Sequence, residues 1–198
     1  MLMDPSTTSS SRLYYAMIAC IAPRPIAWVS TISGKGVTNL APFSFFNGVA
    51  SEPPTLLFCP GFKDDGTPKD TLRNIEETRE FVVNVVPYSL AQAMNATSAS
   101  LDHGISEFET CGIESAPGMK VRPPRVAKSP VHFECKLYDL IRVGSGNIVI
   151  GEILLIDIDD SVLDAKGKPD PEKLDLIGRM GGATYSRTTG RFDLRRPD

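Results

Sequence analysis

A mainly antiparallel β-barrel carrying a few short helices is the fold this sequence predicts, on three observations. Sixteen glycines and sixteen prolines among 198 residues punctuate the chain heavily, which favours many short strands over long helices. Runs rich in β-formers recur between those breaks, at 26–32, 43–50, 55–59 and 81–86. The helix-like stretches come as insertions, without the regular strand–helix alternation of a parallel α/β sheet. At 21.5 kDa the chain is one good-sized domain with a single core. A partly open barrel leaves an edge to cover, so self-association is expected.

Taken in order, residues 1–12 are Ser/Thr-rich, with neither a basic n-region nor an apolar h-region. They read as a flexible lead-in and not as a secretory signal. The ordered domain is expected over 13–186 and a tail over 187–198. The strand at 26–32 closes on Ser33-Gly34-Lys35-Gly36, and Pro53-Pro54 separates the strands at 43–50 and 55–59. Residues 62–68 form a polar loop with Asp65-Gly66 as its turn. A short helix follows over 71–79, with Asp70 as its N-cap accepting from the exposed N–H groups of the first turn. The continuous apolar run at 81–86 predicts a strand buried on both faces. Residues 89–98 read as a second helix, with Leu90, Ala93, Met94 and Thr97 at helical spacing. The stretch 99–128 is irregular apart from a helical turn at 106–110. The clearest hairpin pairs 131–143 with 147–159 around Gly144-Ser145-Gly146, glycines free to take the positive φ of a tight connection. A helical turn at 170–176 and the stretch 179–185 complete the ordered part.

Composition removes several function classes. A net charge of −3 and a pI near 5.5 give no basic footprint, so neither nucleic acid nor an anionic membrane is an expected partner. No apolar run approaches the roughly 20 residues of a membrane helix. Four scattered cysteines (Cys20, Cys59, Cys111, Cys135) without a C-x-x-C pair predict reduced thiols in a cytoplasmic protein, mostly buried as small apolar groups. With only His103 and His132 present, no metal is expected. There is no G-x-S-x-G, and the glycine patterns satisfy neither a Walker A nor a dinucleotide fingerprint, which speaks against hydrolases and nucleoside triphosphatases. His103 is expected exposed in a loop, and His132 structural at a strand start.

The remaining chemistry clusters between residues 24 and 85 and suits a phosphate-bearing planar cofactor. Lys69 alone reads as a surface lysine, but it precedes a predicted helix N-terminus, where the dipole and free N–H groups already favour an anion. Asp70 opposes a phosphate unless it turns inward as the cap. Thr71 either donates its hydroxyl to the same anion or is merely a first-turn residue. Trp28 reads first as a core aromatic. Ser30 and Thr31 leave their strand on opposite faces, so one of them reaches a given pocket. Thr31 shares its face with Ala27 and Val29, which leaves room for a ring, whereas Ser30 shares its face with Ile26 and Trp28. In the segment opened by Asn39, Ser44 and Phe46 oppose Phe45 and Asn47, and the sequence leaves open which pair faces a ligand. Arg24, between prolines, either reaches a phosphate or ties down the chain end.

Together these pieces resemble a known family. Arg24-Pro25-Ile26-Ala27-Trp28-Val29-Ser30-Thr31, Asn39-Leu40-Ala41-Pro42-Phe43-Ser44-Phe45-Phe46-Asn47, Pro53-Pro54, Lys69-Asp70-Thr71 with Asn74-Ile75, and Phe81-Val82-Val83-Asn84 are similar, in order, to the flavin reductase-like, FMN-binding split-barrel family. Flavoredoxin and the small reductase components of two-component monooxygenases belong to it. The resemblance implies a Greek-key-like split barrel, a homodimer, and FMN near the subunit interface. It implies that Trp28, Ser30, Thr31, Asn39 and the segment Ser44, Phe45, Phe46, Asn47 line the ring and ribityl chain, and that Lys69 and Thr71 hold the phosphate. Ser106 to Phe108 and Arg179 to Tyr185 would be secondary, with reach toward the other subunit. The implied activity is hydride transfer from NAD(P)H to flavin, with a monooxygenase or another acceptor downstream. The alternative is a flavoredoxin-like electron-transfer protein without its own nicotinamide site. Catalytic residues stay unassigned, because the flavin carries the electronics of such a reaction.

Overall fold

The barrel is built from strands whose two faces pack into two different cores. The computed structural model describes residues 1–63 and 65–197. Asp64, within the expected 62–68 loop, and Asp198, at the end of the expected tail, lie outside the described residues. The elements run α1 (Ser10–Cys20), β1 (Ala27–Ile32), β2 (Thr38–Phe43), β3 (Phe46–Ser51), β4 (Pro54–Phe58), α2 (Asp70–Thr78), β5 (Glu80–Asn84), α3 (Ala91–Ala96), α4 (Glu107–Thr110), β6 (Ser115–Ala116), β7 (Arg125–Val126), β8 (Val131–Val143), β9 (Gly146–Ile158), α5 (Pro171–Leu174), β10 (Ile177–Arg179) and β11 (Tyr185–Arg187).

Seven strands form one antiparallel sheet in the order β2-β1-β5-β8-β9-β4-β3. Strands β2 and β3 are consecutive in the chain yet stand at opposite ends of that order. The chain therefore crosses the open seam of a curled sheet at the corner Ser44-Phe45. The connection from β4 through α2 carries the chain from one end of the sheet to β5 in its middle, which gives the Greek-key-like path. Hairpin β8–β9 turns through Gly144 at φ +55° and Ser145, with Val143 opposite Gly146.

Alternation along β1 explains the two cores. Ala27 and Val29 point into the barrel with Phe43, Phe58, Phe81 and Val149, whereas Ile26 and Trp28 point outward to Leu40, Met94, Phe108, Val126 and Ile177. The ring pairs Phe43–Phe58 and Phe58–Phe81, with centroids 5.2 and 5.4 Å apart, span the interior. Leu72 and Ile75 of α2 enter the same inner core, so the helix closes one end of the barrel. Gly151 on β9 is required by this packing, since a Cβ there would lie 2.3 Å from Phe81 Cζ. Burial of β5 on both faces matches the expectation from its apolar run.

Several expectations are corrected. Helix α1 starts at Ser10, inside the stretch read as a flexible lead-in. The run 43–50 is two strands broken at Ser44-Phe45, and β2 was not anticipated because Pro42 reads as a breaker. Pro42 is tolerated because β2 is a sheet edge, where a missing N–H costs no ladder bond. Asp70 is not the N-cap. Lys69 takes that position in an extended conformation, with no side-chain cap hydrogen bond, and Asp70 is the first helical residue. Only Cys135 of the four cysteines is buried; Cys20 is exposed and the other two are half-buried.

A polar network holds the outer layer to the sheet. Asn84 Nδ2 donates to the Trp28 carbonyl at 2.9 Å and to Ser30 Oγ at 3.2 Å, while its Oδ1 accepts from Val126 N at 2.9 Å. His132 Nδ1 lies 2.9 Å from the same Oδ1 and so carries the proton in that bond. Burial, and then the Arg125 charge, lower the His132 pKa and keep the ring neutral. Glu134 is fully buried and accepts from Met119 N at 2.7 Å, Lys120 N at 2.5 Å and Arg125 Nε at 2.7 Å. Burial alone would raise its pKa, but these donors outweigh burial and hold it below the usual carboxylate value. Glu134→Gln is expected to destabilise the fold by about 3 kcal/mol, the lower end of the cost of breaking a buried pair, because the buried Arg125 loses the charge of its buried partner and keeps only the half-exposed Asp157. The stabilisation from Glu134 is present above the unfolded carboxylate pKa and is lost as pH falls through the lower folded value. Urea unfolding at several pH values would therefore show a shallower acid limb for the variant than for the parent protein.

Candidate functional site

The mouth of α2 opens beside the edge strand β2. Lys69 O accepts from Leu72 N at 3.0 Å and Arg73 N at 3.1 Å, so the helical ladder begins there and leaves the N–H groups of Asp70 and Thr71 ahead of it. Asn39 Nδ2 donates to Thr71 Oγ1 at 2.9 Å. Thr71 thus receives a proton from Asn39 and keeps its own hydroxyl proton to donate. Lys69 Nζ lies 5.8 Å from the Phe43 ring centroid, at the end of β2. A second cation, Lys63, stands 3.6 Å from Asp70 Oδ1. These groups line a cavity of about 100 Å³ together with residues 97–101 and Glu107. Its size and donors suit one phosphate-like group.

Two carboxyl groups border this cavity. Asp70 Oδ1 lies 2.7 Å from His103 Nδ1, so its side chain is engaged by an exposed histidine instead of capping the helix. Glu107 Oε2 accepts from Leu40 N at 2.8 Å and satisfies an outward donor of the edge strand. Burial raises the Glu107 pKa above the usual glutamate value.

A second cavity of about 270 Å³ adjoins the first and shares Pro42 and Ser98 with it. It runs beneath Tyr14 of α1 and the seam corner, toward Arg24, Asn95, Arg179 and Tyr185. Arg24 Nη1 donates to the carbonyls of Ile18 and Ile21, both at 2.6 Å, and Nη2 donates to Met180 O at 3.1 Å. Its Nε donates to Ser44 Oγ at 3.3 Å. Of the two roles left open for Arg24, the structure shows the tie: it binds the end of α1, the seam corner and the strand β10 region together. Arg179 stacks on Tyr185, with its guanidinium carbon 4.5 Å from the ring centroid.

The expected site residues divide into three groups. Asn39, Lys69 and Thr71 meet at the first cavity, and Ser44 lines the second. Phe45, at the corner, lies with its ring 5.8 Å from the Arg24 guanidinium. Phe46 turns onto the barrel core, and Asn47 faces out from β3 with its Oδ1 accepting from Gly48 N at 2.9 Å. Trp28, Ser30 and Thr31 are 0 % exposed, with their polar atoms engaged within the fold. Trp28 Nε1 donates to Thr97 Oγ1 at 2.9 Å, Ser30 Oγ donates to the Pro124 carbonyl, and Thr31 Oγ1 accepts from Asn74 Nδ2 at 3.0 Å. Trp28 thus meets the stretch that lines the first cavity, and Thr31 meets α2. Reading the sequence residue by residue missed Lys63 and the hydroxyl-rich stretch 97–101. The signals available were a second lysine in the loop that ends at Lys69, and the polar run Thr97-Ser98 with Ser100 after a helix.

Glu107→Gln keeps an acceptor for Leu40 N and removes a negative charge from the cavity wall. Inorganic phosphate is expected to bind more tightly by about 1 kcal/mol, the interaction of two unit charges some 4 Å apart in water. Isothermal titration calorimetry would measure it. Because the folded pKa of Glu107 lies above its unfolded value, the parent carboxyl favours folding at low pH and opposes it as pH rises through the folded value. The variant's stability gain is therefore expected at neutral pH and should fade in acid.

Comparison with known proteins bears on the family and the fold. Residues 19–173 match the family model described as Flavin reductase like domain. The chain is similar to nitrilotriacetate monooxygenase component B from Bacillus cereus, with 30% identity, a TM-score of 0.93 and 98% of each chain covered. It is also similar to the 2-nitrobenzoate 2-nitroreductase NbaA of Pseudomonas fluorescens, with 32% identity, a TM-score of 0.89, and 100% of this chain and 96% of that one covered. In fold it matches a protein with a split barrel domain from Shewanella frigidimarina NCIMB 400, at 22% identity and a TM-score of 0.84 over 100% of this chain and 99% of that one. A curled seven-stranded sheet with its seam beside an anion-ready helix mouth, matched over most of its length by one family model, places this chain in the flavin reductase-like domain family, with the split-barrel fold.

Proposed function

We propose that this protein binds FMN and transfers a hydride to it from NADH or NADPH, with the reduced flavin serving a monooxygenase or another acceptor. The observation that carries this reading is the first cavity. Lys69, Lys63, the Thr71 hydroxyl and the leading N–H groups of α2 converge on a space of about 100 Å³. That is room for one terminal phosphate, such as a mononucleotide carries. From the phosphate position, the edge of β2 leads through Ala41 and Pro42 to the corner Ser44-Phe45, which offers a hydroxyl and an aromatic edge to a flat heterocycle. When bound, the flavin would supply the redox chemistry, and the protein would position it and exclude water. The relation to component B of a monooxygenase supports a reductase role with a separate acceptor. Four free cysteines suit a reducing, cytoplasmic setting.

A homodimer completes the reading. Strands β8 and β9 leave Tyr138, Ile141, Val143, Leu154 and Ile156 exposed, and Val49 on the edge strand β3 is exposed as well. Apolar surface of this kind next to a sheet edge favours a second copy of the chain. Size-exclusion chromatography with light scattering should give a dimer mass, and Ile141→Glu should shift the protein toward monomer.

Titration with FMN should produce a bound flavin spectrum. Lys69→Ala should weaken FMN by about 1.5–3 kcal/mol, the range for hydrogen bonds to charged groups, or roughly ten- to a hundredfold in affinity. Riboflavin, which lacks the phosphate, should be nearly indifferent to the change. Equal losses for both ligands would assign Lys69 to the fold. Oxidation of NADH or NADPH by the loaded protein tests the hydride step; loaded protein that oxidises neither would leave an electron-transfer protein.

A further inference from the structure

Asp70 puts a negative charge at the mouth of α2, where an anion is expected, and two cations answer it. Lys63 Nζ stands 3.6 Å from its Oδ1, and His103 Nδ1 stands 2.7 Å from the same oxygen. The Asp70 side chain is largely buried, at 15 % exposure, whereas His103 is exposed.

His103 lies in the connection between α3 and α4, and its bond has a second effect. Residues 97–99 are held by the end of α3, through bonds from Thr97 N to Ala93 O, Ser98 N to Asn95 O and Ala99 N to Ala96 O. Ser106 is held by Thr38, with the two hydroxyl oxygens 2.6 Å apart. Between these anchors, residues 100–105 make one internal backbone bond, from Ile105 N to Asp102 O at 3.2 Å. Among the described residues, His103–Asp70 is the only hydrogen bond that joins this stretch to the rest of the fold. The stretch turns through Gly104 at φ +86°. Ser100 and Leu101 line the first cavity. His103, Gly104 and Ile105 line another, of about 350 Å³, which shares Asn39 and Asp70 with the first. Residues 100–105 therefore pass beside the helix mouth as a strap, anchored at both ends and pinned once between them.

We propose that His103 is a positioning residue for the anion seat: through Asp70 it holds the strap 100–105 at the mouth of α2 and offsets a charge that would oppose a bound phosphate. The proposal rests on the reading of the first cavity as a phosphate seat and adds to it a coupling between anion, strap and proton. A protonated imidazole gives Asp70 a charge-assisted bond, stronger than the neutral one. It also adds a positive charge beside the cavity. A bound anion favours the protonated form in turn, by reciprocity. Anion binding is therefore tightest with the histidine protonated and weakens as the proton leaves.

The charged groups that face His103 are Lys63 before α2, Asp70, Arg73 and Glu77 of α2, Lys35 of the β1–β2 turn, and Asp102 of the strap itself. Of these residue types only histidine ordinarily changes charge between about pH 5 and 8. Glu107, raised by burial, borders the first cavity and is the competing group.

Sulfate is the probe, because it keeps its charge over this range and phosphate does not. It is titrated into the intact protein by isothermal calorimetry at constant ionic strength, at about pH 8 and about pH 5.5. Binding is expected to be at least about threefold tighter at the lower pH, the effect of one added charge near an exposed site. His103→Gln should abolish that gain, and Glu107→Gln should keep it. Limited digestion with thermolysin, read by mass spectrometry for cuts ahead of Leu101 and Ile105, reports the strap. His103→Ala should be cut at least about threefold faster than the parent, and sulfate should protect it less, as for any loss of a single exposed ion pair worth a factor of this size. Asp70→Asn breaks the pair from the other side and should be cut as fast, with the double variant no faster than either, as one shared contact requires. Urea midpoints matching the parent separate an opened strap from a failed fold. A pH gain unchanged in His103→Gln, or a parent cutting rate in His103→Ala, would overturn the proposal and leave the phosphate seat standing. Sulfate that binds at neither pH would overturn both.

Discussion

The insertion of Leu72 and Ile75 into the end of the barrel is the contact on which the site depends. Those two side chains fix α2 against β1, β2 and β5, and with it the direction in which the helix opens. A helix mouth attracts anions only within about its first turn, so a small rotation of α2 would carry Lys69 and Thr71 away from Asn39. The core packing of Phe43, Phe58 and Phe81 therefore acts on the site at one remove, by deciding where the helix end lies.

The seam is the second constraint. A closed barrel would pair every strand and leave no place where a polar backbone edge meets a cavity. Here β2 remains an edge, Glu107 covers one of its donors, and the chain leaves it at Ser44-Phe45 to begin β3 on the far side. Arg24 joins that corner to the end of α1 and to Met180, so three segments distant in sequence meet around one guanidinium. Both cavities of the site lie along this line.

Much of this was legible in the sequence, and the misses have physical reasons. The apolar run of β5, the glycine-centred β8–β9 hairpin and the helix after Lys69 announce themselves through periodicity and turn chemistry, which are local. Strand β2 was hidden because Pro42 argues against a strand unless one knows that it sits at an edge, and edge position is a property of the whole sheet. Asp70 looked like a cap because caps are judged from residue type, whereas its role was decided by His103, more than thirty residues away. Trp28, Ser30 and Thr31 lie in a strand buried on both faces. A strand that carries cores on each face cannot be told by alternation from one that lines a pocket on one face. Arg24 was open between two roles, and only the positions of Ile18, Ile21 and Met180 decide it.

The hydrogen bond from Trp28 to Thr97 has a practical consequence. This is the chain's single tryptophan, and the hydroxyl it meets begins the segment that walls the smaller cavity. Its ultraviolet emission therefore comes from one site only, shielded from solvent and coupled to the very stretch that a bound anion would press against. The molecule carries an intrinsic optical gauge of that wall, readable without a label.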